Sequence, residues 1–166
     1  HGPGFAPLSP GSGPRHCAIH PTGQYFYVVN ELGNTVTAFL RKPGLLESFQ
    51  TISTLPESYK EESYTAEIRV HPTGRYVYAS NRGHDSISIF RVDEETGRLS
   101  ELGQQTTSGS YPRNFSMDPS GRYLIAANQK SDTVVMFRIN QETGLLEPTG
   151  QRVEAPSPVC VLIVNP

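Results

Sequence analysis

The chain has no tryptophan, only two cysteines and two methionines, no block of like charge and no long apolar run. Each shortage removes a class of function. Cys17 and Cys160 lie far apart with no CxxC spacing, a pattern that indicates neither a disulfide framework nor a zinc site and is compatible with a reducing, cytoplasmic setting. The five histidines show no ligand spacing, so no metal and no other cofactor is expected. No window nears the roughly 18 apolar residues that a membrane-crossing helix needs. Fourteen basic residues face sixteen acidic ones, for a net charge of -2; without a Lys/Arg cluster, neither nucleic acid nor an anionic membrane is an expected partner. The first residue is His1 rather than Met, with no secretory pattern behind it, so the sequence reads as a piece of something longer.

What the chain does have is 15 glycines and 14 prolines in 166 residues, and they recur in register. His20-Pro21-Thr22-Gly23-Gln24-Tyr25, His71-Pro72-Thr73-Gly74-Arg75-Tyr76 and Asp118-Pro119-Ser120-Gly121-Arg122-Tyr123 follow one another at offsets of 51 and 47 residues. Such a period is the mark of a repeat architecture. In each unit a short run leads to a turn in which Pro presets φ and Gly takes φ > 0. A Tyr/Val-rich run follows, as in Tyr25 to Val29, favourable as strand. A polar turn then gives way to a run alternating along Val36, Ala38 and Leu40 or Ile87 and Ile89, and a Glu-Thr-Gly turn leads to a fourth, more polar run.

Four antiparallel strands per unit make an all-β chain of β-propeller blades. The blades are predicted at about 13–64, 65–110 and 111–157, with 158–166 as the closing strand of a shared blade. Three blades do not close a ring, since propellers use roughly four to eight. The partners of the closing strand, and the other blades, are expected in an N-terminal half that this chain does not include.

Gly13-Pro14-Arg15-His16, Tyr27-Val28-Val29-Asn30-Glu31-Leu32, Pro112-Arg113-x-Phe115 and Gly121-x-Tyr123-Leu124-Ile125-Ala126-Ala127-Asn128-Gln129-Lys130-Ser131 resemble the seven-bladed propeller lactonases, a family that includes propeller-type 6-phosphogluconolactonases and carboxy-muconate lactonising enzymes. The resemblance runs through nearly the whole chain, which looks like the C-terminal half of a family member. It implies a small-molecule sugar-acid lactone as partner and hydrolysis of 6-phosphogluconolactone in the pentose phosphate pathway. The alternatives are a muconate-type lactonising enzyme and a non-catalytic propeller that serves as a binding scaffold.

The repeat itself points to a site. In a blade the start of the first strand lies beside the end of the second, on one rim of the central channel. Five residues before the His-Pro or Asp-Pro pair stand Arg15, Ala66, Arg113 and Cys160; four before it stand His16, Glu67, Asn114 and Val161; eleven after it stand Glu31, Arg82 and Gln129. These positions vary among charged and amide residues while core positions stay apolar, as expected of a binding site on a rigid scaffold. Arginines suit carboxylate and phosphate. For lactone hydrolysis the candidate catalytic residues are Glu31 or His16 as proton acceptor and Arg15 or Arg82 as oxyanion stabiliser; Arg113, Asn128, Gln129 and Glu67 are the candidate substrate-binding residues. The family resemblance implies the same Glu31, Arg15 and Arg82, with a further His in an earlier blade.

Each candidate also has a plainer reading. Arg15 and Arg113 are alternatively braces between blades, Glu31 a solvated turn residue, and Glu67 either a partner of Arg69 or a channel residue. His20 and His71 read as turn residues, Tyr25, Tyr76 and Tyr123 as core packing, and Pro56 to Tyr64 as a surface loop or a lid.

Overall fold

The computed structural model describes residues 6–164, and among them every regular element is a strand. The first sheet holds β1 (Pro14–Ile19), β2 (Tyr25–Asn30), β3 (Thr35–Lys42) and β4 (Leu45–Ser53); the second β5 (Tyr64–Val70), β6 (Tyr76–Arg82), β7 (Ser86–Val92) and β8 (Leu99–Thr106); the third β9 (Pro112–Met117), β10 (Tyr123–Asn128), β11 (Thr133–Ile139) and β12 (Leu146–Glu154). Strand order within each sheet follows chain order and every pairing is antiparallel. Strands β1, β5 and β9 are neighbours from sheet to sheet, so the first strand of each blade is the innermost. The three blades of the repeat are thus present.

The turns form for local reasons. Asn34, Asp85 and Asp132 hold φ of 48°, 55° and 53°, the left-handed region that short polar side chains tolerate best among non-glycine residues. They occupy one register in the three polar turns, and each also reaches the incoming segment of the following unit. Asn34 Nδ2 donates to the Ser63 carbonyl, while Asp85 Oδ1 accepts from the Tyr111 N–H and Asp132 Oδ1 from the Ser157 N–H.

Two hydrophobic clusters lie between sheets rather than within one. Tyr27, Val29, Val36 and Ala38 of the first sheet pack on Ile68, Val77, Ala79 and Phe90 of the second. Tyr76, Tyr78, Ile87 and Ile89 pack on Phe115, Leu124, Ala126 and Phe137 of the third. The middle sheet is therefore buried on both faces, and every residue of β6 is buried. Ser86 and Ser88, which alternate with Ile87 and Ile89 in β7, are buried as well. Asn81 Nδ2 donates to both hydroxyls and Ser88 Oγ donates to the Thr54 carbonyl, which meets the requirement that buried polar groups be paired.

Polar latches join the blades. The Nε2 of His20 bonds the Gly74 carbonyl at 3.1 Å, and that of His71 bonds the Gly121 carbonyl at 2.9 Å. The Nδ1 of each ring bonds a threonine of its own turn. Tyr25 and Tyr27 hydroxyls donate to the Glu95 and Gly97 carbonyls, and Tyr76 and Tyr78 to those of Glu142 and Gly144. The recurrent tyrosine is thus a tie to the next blade as well as packing. Tyr123, expected in the core, is 39% exposed, because the described residues place no further blade against it.

Burial pushes the His71 imidazole below its ordinary value of 6.5, and the Gly121 carbonyl only partly offsets this. The unfolded chain therefore binds that proton more readily than the folded one, and stability present above about pH 6.5 is lost as the pH falls below it. In the intact protein the melting temperature is expected to drop between pH 7.5 and pH 5.5, with a smaller drop in His71→Gln. An equal drop in the variant would show that His71 plays no part.

The run expected to form the closing strand of a shared blade has no ladder partner among the described residues. Residues 158–164 join none of the three sheets, and Asn165 and Pro166 lie outside the described residues. Strand structure requires a ladder partner, and none of the twelve strands supplies one. The Val161 N–H donates instead to the Asn114 side-chain oxygen at 2.8 Å.

Candidate active site

All three innermost strands carry a β-bulge at the same place. Arg15 and His16 together oppose Val29, since Pro14 pairs with Asn30 and Cys17 with Val28. Ala66 and Glu67 likewise oppose Ser80, and Arg113 is the extra residue where Asn114 pairs with Ala127 and Pro112 with Asn128. A bulge breaks the two-residue alternation of a strand and re-aims side chains. It lets neighbouring residues, Arg15 and His16, both reach across to the adjacent blade. These are the rim positions singled out by the repeat.

Arg15, Glu31 and Arg82 converge. Arg15 Nη1 lies 3.4 Å from Glu31 Oε2, and Arg82 Nη2 donates to Glu31 Oε1. Arg15 and Glu31 come from the first blade and Arg82 from the second, so the triangle exists only when two blades are packed. Arg15 Nε also donates to the Ala66 carbonyl at 3.0 Å, so Arg15 braces the first blade against the second as well as reaching Glu31. The Arg82 side chain is 4% exposed, against 29% for Glu31. Burial by itself pushes the Glu31 carboxyl up, but the hydrogen bond and charge of Arg82, joined by Arg15, outweigh it and hold the group below its ordinary 4.5. A carboxylate whose two oxygens are engaged by guanidinium groups is a weak proton acceptor. It is well suited to fixing two cations side by side.

His16 and Glu67 form a second group. His16 Nδ1 lies 3.3 Å from Glu67 Oε2 without the alignment of a hydrogen bond. Glu67 also accepts from the Ile68 N–H at 3.0 Å and from Asn114 Nδ2, with Arg69 at 3.8 Å. Expected at the substrate, Glu67 is 4% exposed and its oxygens are spoken for within the protein.

Asn128, the next candidate for the substrate, is engaged within the protein. It is buried, and its Nδ2 donates to the Thr107 carbonyl and the Thr133 hydroxyl. Asn30, Asn81 and Asn128 share this register. The Oδ1 of Asn81 accepts the hydroxyl of Thr65, its cross-strand neighbour, whereas the same oxygens of Asn30 and Asn128 have no partner among the described residues. Their cross-strand neighbours are Pro14 and Pro112, which have no hydroxyl to give. Gln129 is half-buried at the position equivalent to Arg82, and Arg113 is half-buried on the bulge of β9. Neither forms an ion pair among the described residues.

Two aromatic residues escaped the sequence reading. Arg82 lies over the rings of Tyr64 and Tyr111, at 5.8 and 5.2 Å, and its Nε donates to the Tyr64 carbonyl. Lys130 Nζ is 3.9 Å from the centre of the same Tyr111 ring. Tyr111 adopts φ of 66°, an outlier for so bulky a residue, and is held there by its N–H bond to Asp85. The signal was present: Tyr64 and Tyr111 both stand seven residues before the His-Pro or Asp-Pro pair. The loop before Tyr64 packs on the turn after β6 through Tyr59, which lies edge-on to His84 at 4.6 Å.

Comparison with known proteins gives a concordant picture. The model of the lactonase family described as a seven-bladed β-propeller matches residues 2–163. The 6-phosphogluconolactonase of Bacillus subtilis (strain 168) is 40% identical over 104 residues, 61% of this chain and 30% of its own length. Among solved structures, a Bacteroides fragilis protein assigned as a 6-phosphogluconolactonase superposes with a TM-score of 0.89 at 37% identity, over 95% of this chain and 44% of that one. The periplasmic gluconolactonase of Pseudomonas aeruginosa does so with a TM-score of 0.88 at 33% identity, over 93% and 43%. The chain spans less than half the length of each of these relatives.

Proposed function

The chain belongs to the seven-bladed β-propeller lactonases, and from that premise we propose that it contributes the catalytic rim of a lactone hydrolase acting on 6-phosphogluconolactone in the pentose phosphate pathway. The observation that carries this reading is the Arg15–Glu31–Arg82 triangle, which holds two guanidinium groups from adjacent blades at one point of the rim. A non-catalytic scaffold has no evident use for a buried arginine fixed in this way.

In the proposed reaction a water oxygen attacks the lactone carbonyl while His16 takes the water proton. The carbonyl oxygen becomes an oxyanion, and Arg15 and Arg82 stabilise it as preorganised donors. The bond from the carbonyl carbon to the ring oxygen then breaks, and the proton held by imidazolium goes to that oxygen, leaving a hydroxyl and a carboxylic acid that ionises by releasing its proton to solvent. Glu31 keeps the arginines in place and is not the base, since its own proton affinity is lowered. Arg113 and Gln129, half-buried at rim positions of the third blade, are the residues assigned here to the phosphate and hydroxyl groups of the sugar acid. A phosphorylated substrate and two free cysteines favour a cytoplasmic site of action.

The test is direct. The intact protein, supplied with 6-phosphogluconolactone, is expected to speed hydrolysis well above the spontaneous rate and to prefer this substrate to gluconolactone. Equal rates on both would remove the phosphate assignment, and no acceleration of any lactone would leave the scaffold reading.

A further inference from the structure

Glu67 has a part of its own. It is a carboxylate almost wholly removed from water, a costly arrangement unless the charge is met by donors and cations. Its oxygens meet the Ile68 N–H, the Asn114 amide, the His16 ring and, farther off, Arg69. Three of the residues involved share one register: His16, Glu67 and Asn114 each stand four residues before the turn pair of their repeat, and Val161 stands at the equivalent place in the last run. In the fold they connect in sequence, because Asn114 Oδ1 accepts the Val161 N–H. The bulges on β1, β5 and β9 bring this about by turning that position toward the neighbouring blade. The result is a line of polar contacts around the innermost strands that ends on the ring of His16.

We propose that Glu67 is the positioning residue of the site: it faces the Nδ1–H of His16 as its acceptor and so keeps the proton on that nitrogen, leaves Nε2 as the proton acceptor, and steadies the imidazolium formed when Nε2 is protonated. This rests on the hydrolase reading given above. His16 Nδ1 is the buried nitrogen of the ring while the side chain as a whole is 39% exposed, so Nε2 is the nitrogen turned to solvent. The 3.3 Å separation from Glu67 is loose in the resting state, as expected of a contact that tightens when charge develops. Asn114 keeps the carboxylate from turning away and is itself held by Val161. The other charges around this group are Arg69 on β5, 3.8 Å from Glu67, and Arg15, next to His16 in the chain and turned to Glu31 just after β2. Glu67 is the anion in direct reach of Nδ1.

In the intact protein, Glu67→Gln is expected to lower kcat for 6-phosphogluconolactone about tenfold, with KM little changed. Nitrogen-15 spectra of the imidazoles, with His16→Gln identifying the His16 signal, are expected to show the Nδ1-protonated tautomer in the unaltered protein. This second measurement stands even where Glu67→Gln does not fold. An unchanged kcat in Glu67→Gln, or an Nε2-protonated ring in the unaltered protein, would overturn the proposal. Those failures are distinguishable from failure of the hydrolase reading, which shows as absence of lactone hydrolysis in the unaltered protein or as full activity in His16→Gln.

Discussion

Arg82→Ala in the intact protein is expected to lower kcat/KM for lactone hydrolysis by about 10²–10³-fold, the loss typical of removing one preorganised oxyanion donor. No other cation of the rim is held so completely. Its side chain is 4% exposed, it lies over Tyr64 and Tyr111, and its Nε and Nη2 are bonded to the Tyr64 carbonyl and Glu31 at once. A lysine provides a point charge without the planar fork, so Arg82→Lys is expected to recover only a small part of the loss. The alanine variant also leaves Glu31 with Arg15 alone, so its carboxyl rises toward its ordinary value. Steady-state kinetics, paired with a melt to show that the fold persists, checks the result. Retention of kcat/KM within twofold would remove Arg82 from the catalytic apparatus.

The largest expected effect on stability comes from a turn far from the rim. Gly144→Ala is expected to cost about 2–4 kcal/mol, through left-handed strain together with overpacking. Gly144 has φ of 76°, and a Cβ there would enter the ring of Tyr76. Its carbonyl also accepts the Tyr78 hydroxyl at 2.8 Å. The turn cannot retreat without giving up the bond that ties the second blade to the third. Gly150 supplies the control: its φ is 78°, yet a Cβ there meets nothing within 4 Å. Gly150→Ala should therefore show the backbone strain alone, about 1 kcal/mol. Denaturant unfolding of both variants separates the two terms, and equal losses would mean that the contact with Tyr76 adds nothing.

Legibility varied with the range of the interaction. The strands, their turns and the repeat register were all plain in the residues, because Pro, Gly, Asn and Asp specify turns locally and Tyr/Val-rich runs specify strands. The rim was legible for the same reason: a repeat makes equivalent positions comparable, and Arg15, Glu31 and Arg82 stood out by differing in charge where neighbouring positions stayed apolar. Tyr64 and Tyr111 were equally readable in register but pass for ordinary packing. Asn128 looked like a rim residue and is a fastening of the sheet, as Asn30 and Asn81 are.

By itself the sequence determined the all-β repeat, the order of strands in each blade and the equivalence of positions from blade to blade, since these follow from periodicity and turn chemistry along the chain. The tertiary structure alone decided what those residues do to one another. The packing of one blade on the next buries both faces of the middle sheet, and the bulges aim side chains between blades. That packing commits Glu31 to two arginines and sets Glu67 against His16. A charge acquires its character from the desolvation and the partners around it, and here those partners lie about fifty residues away in the chain.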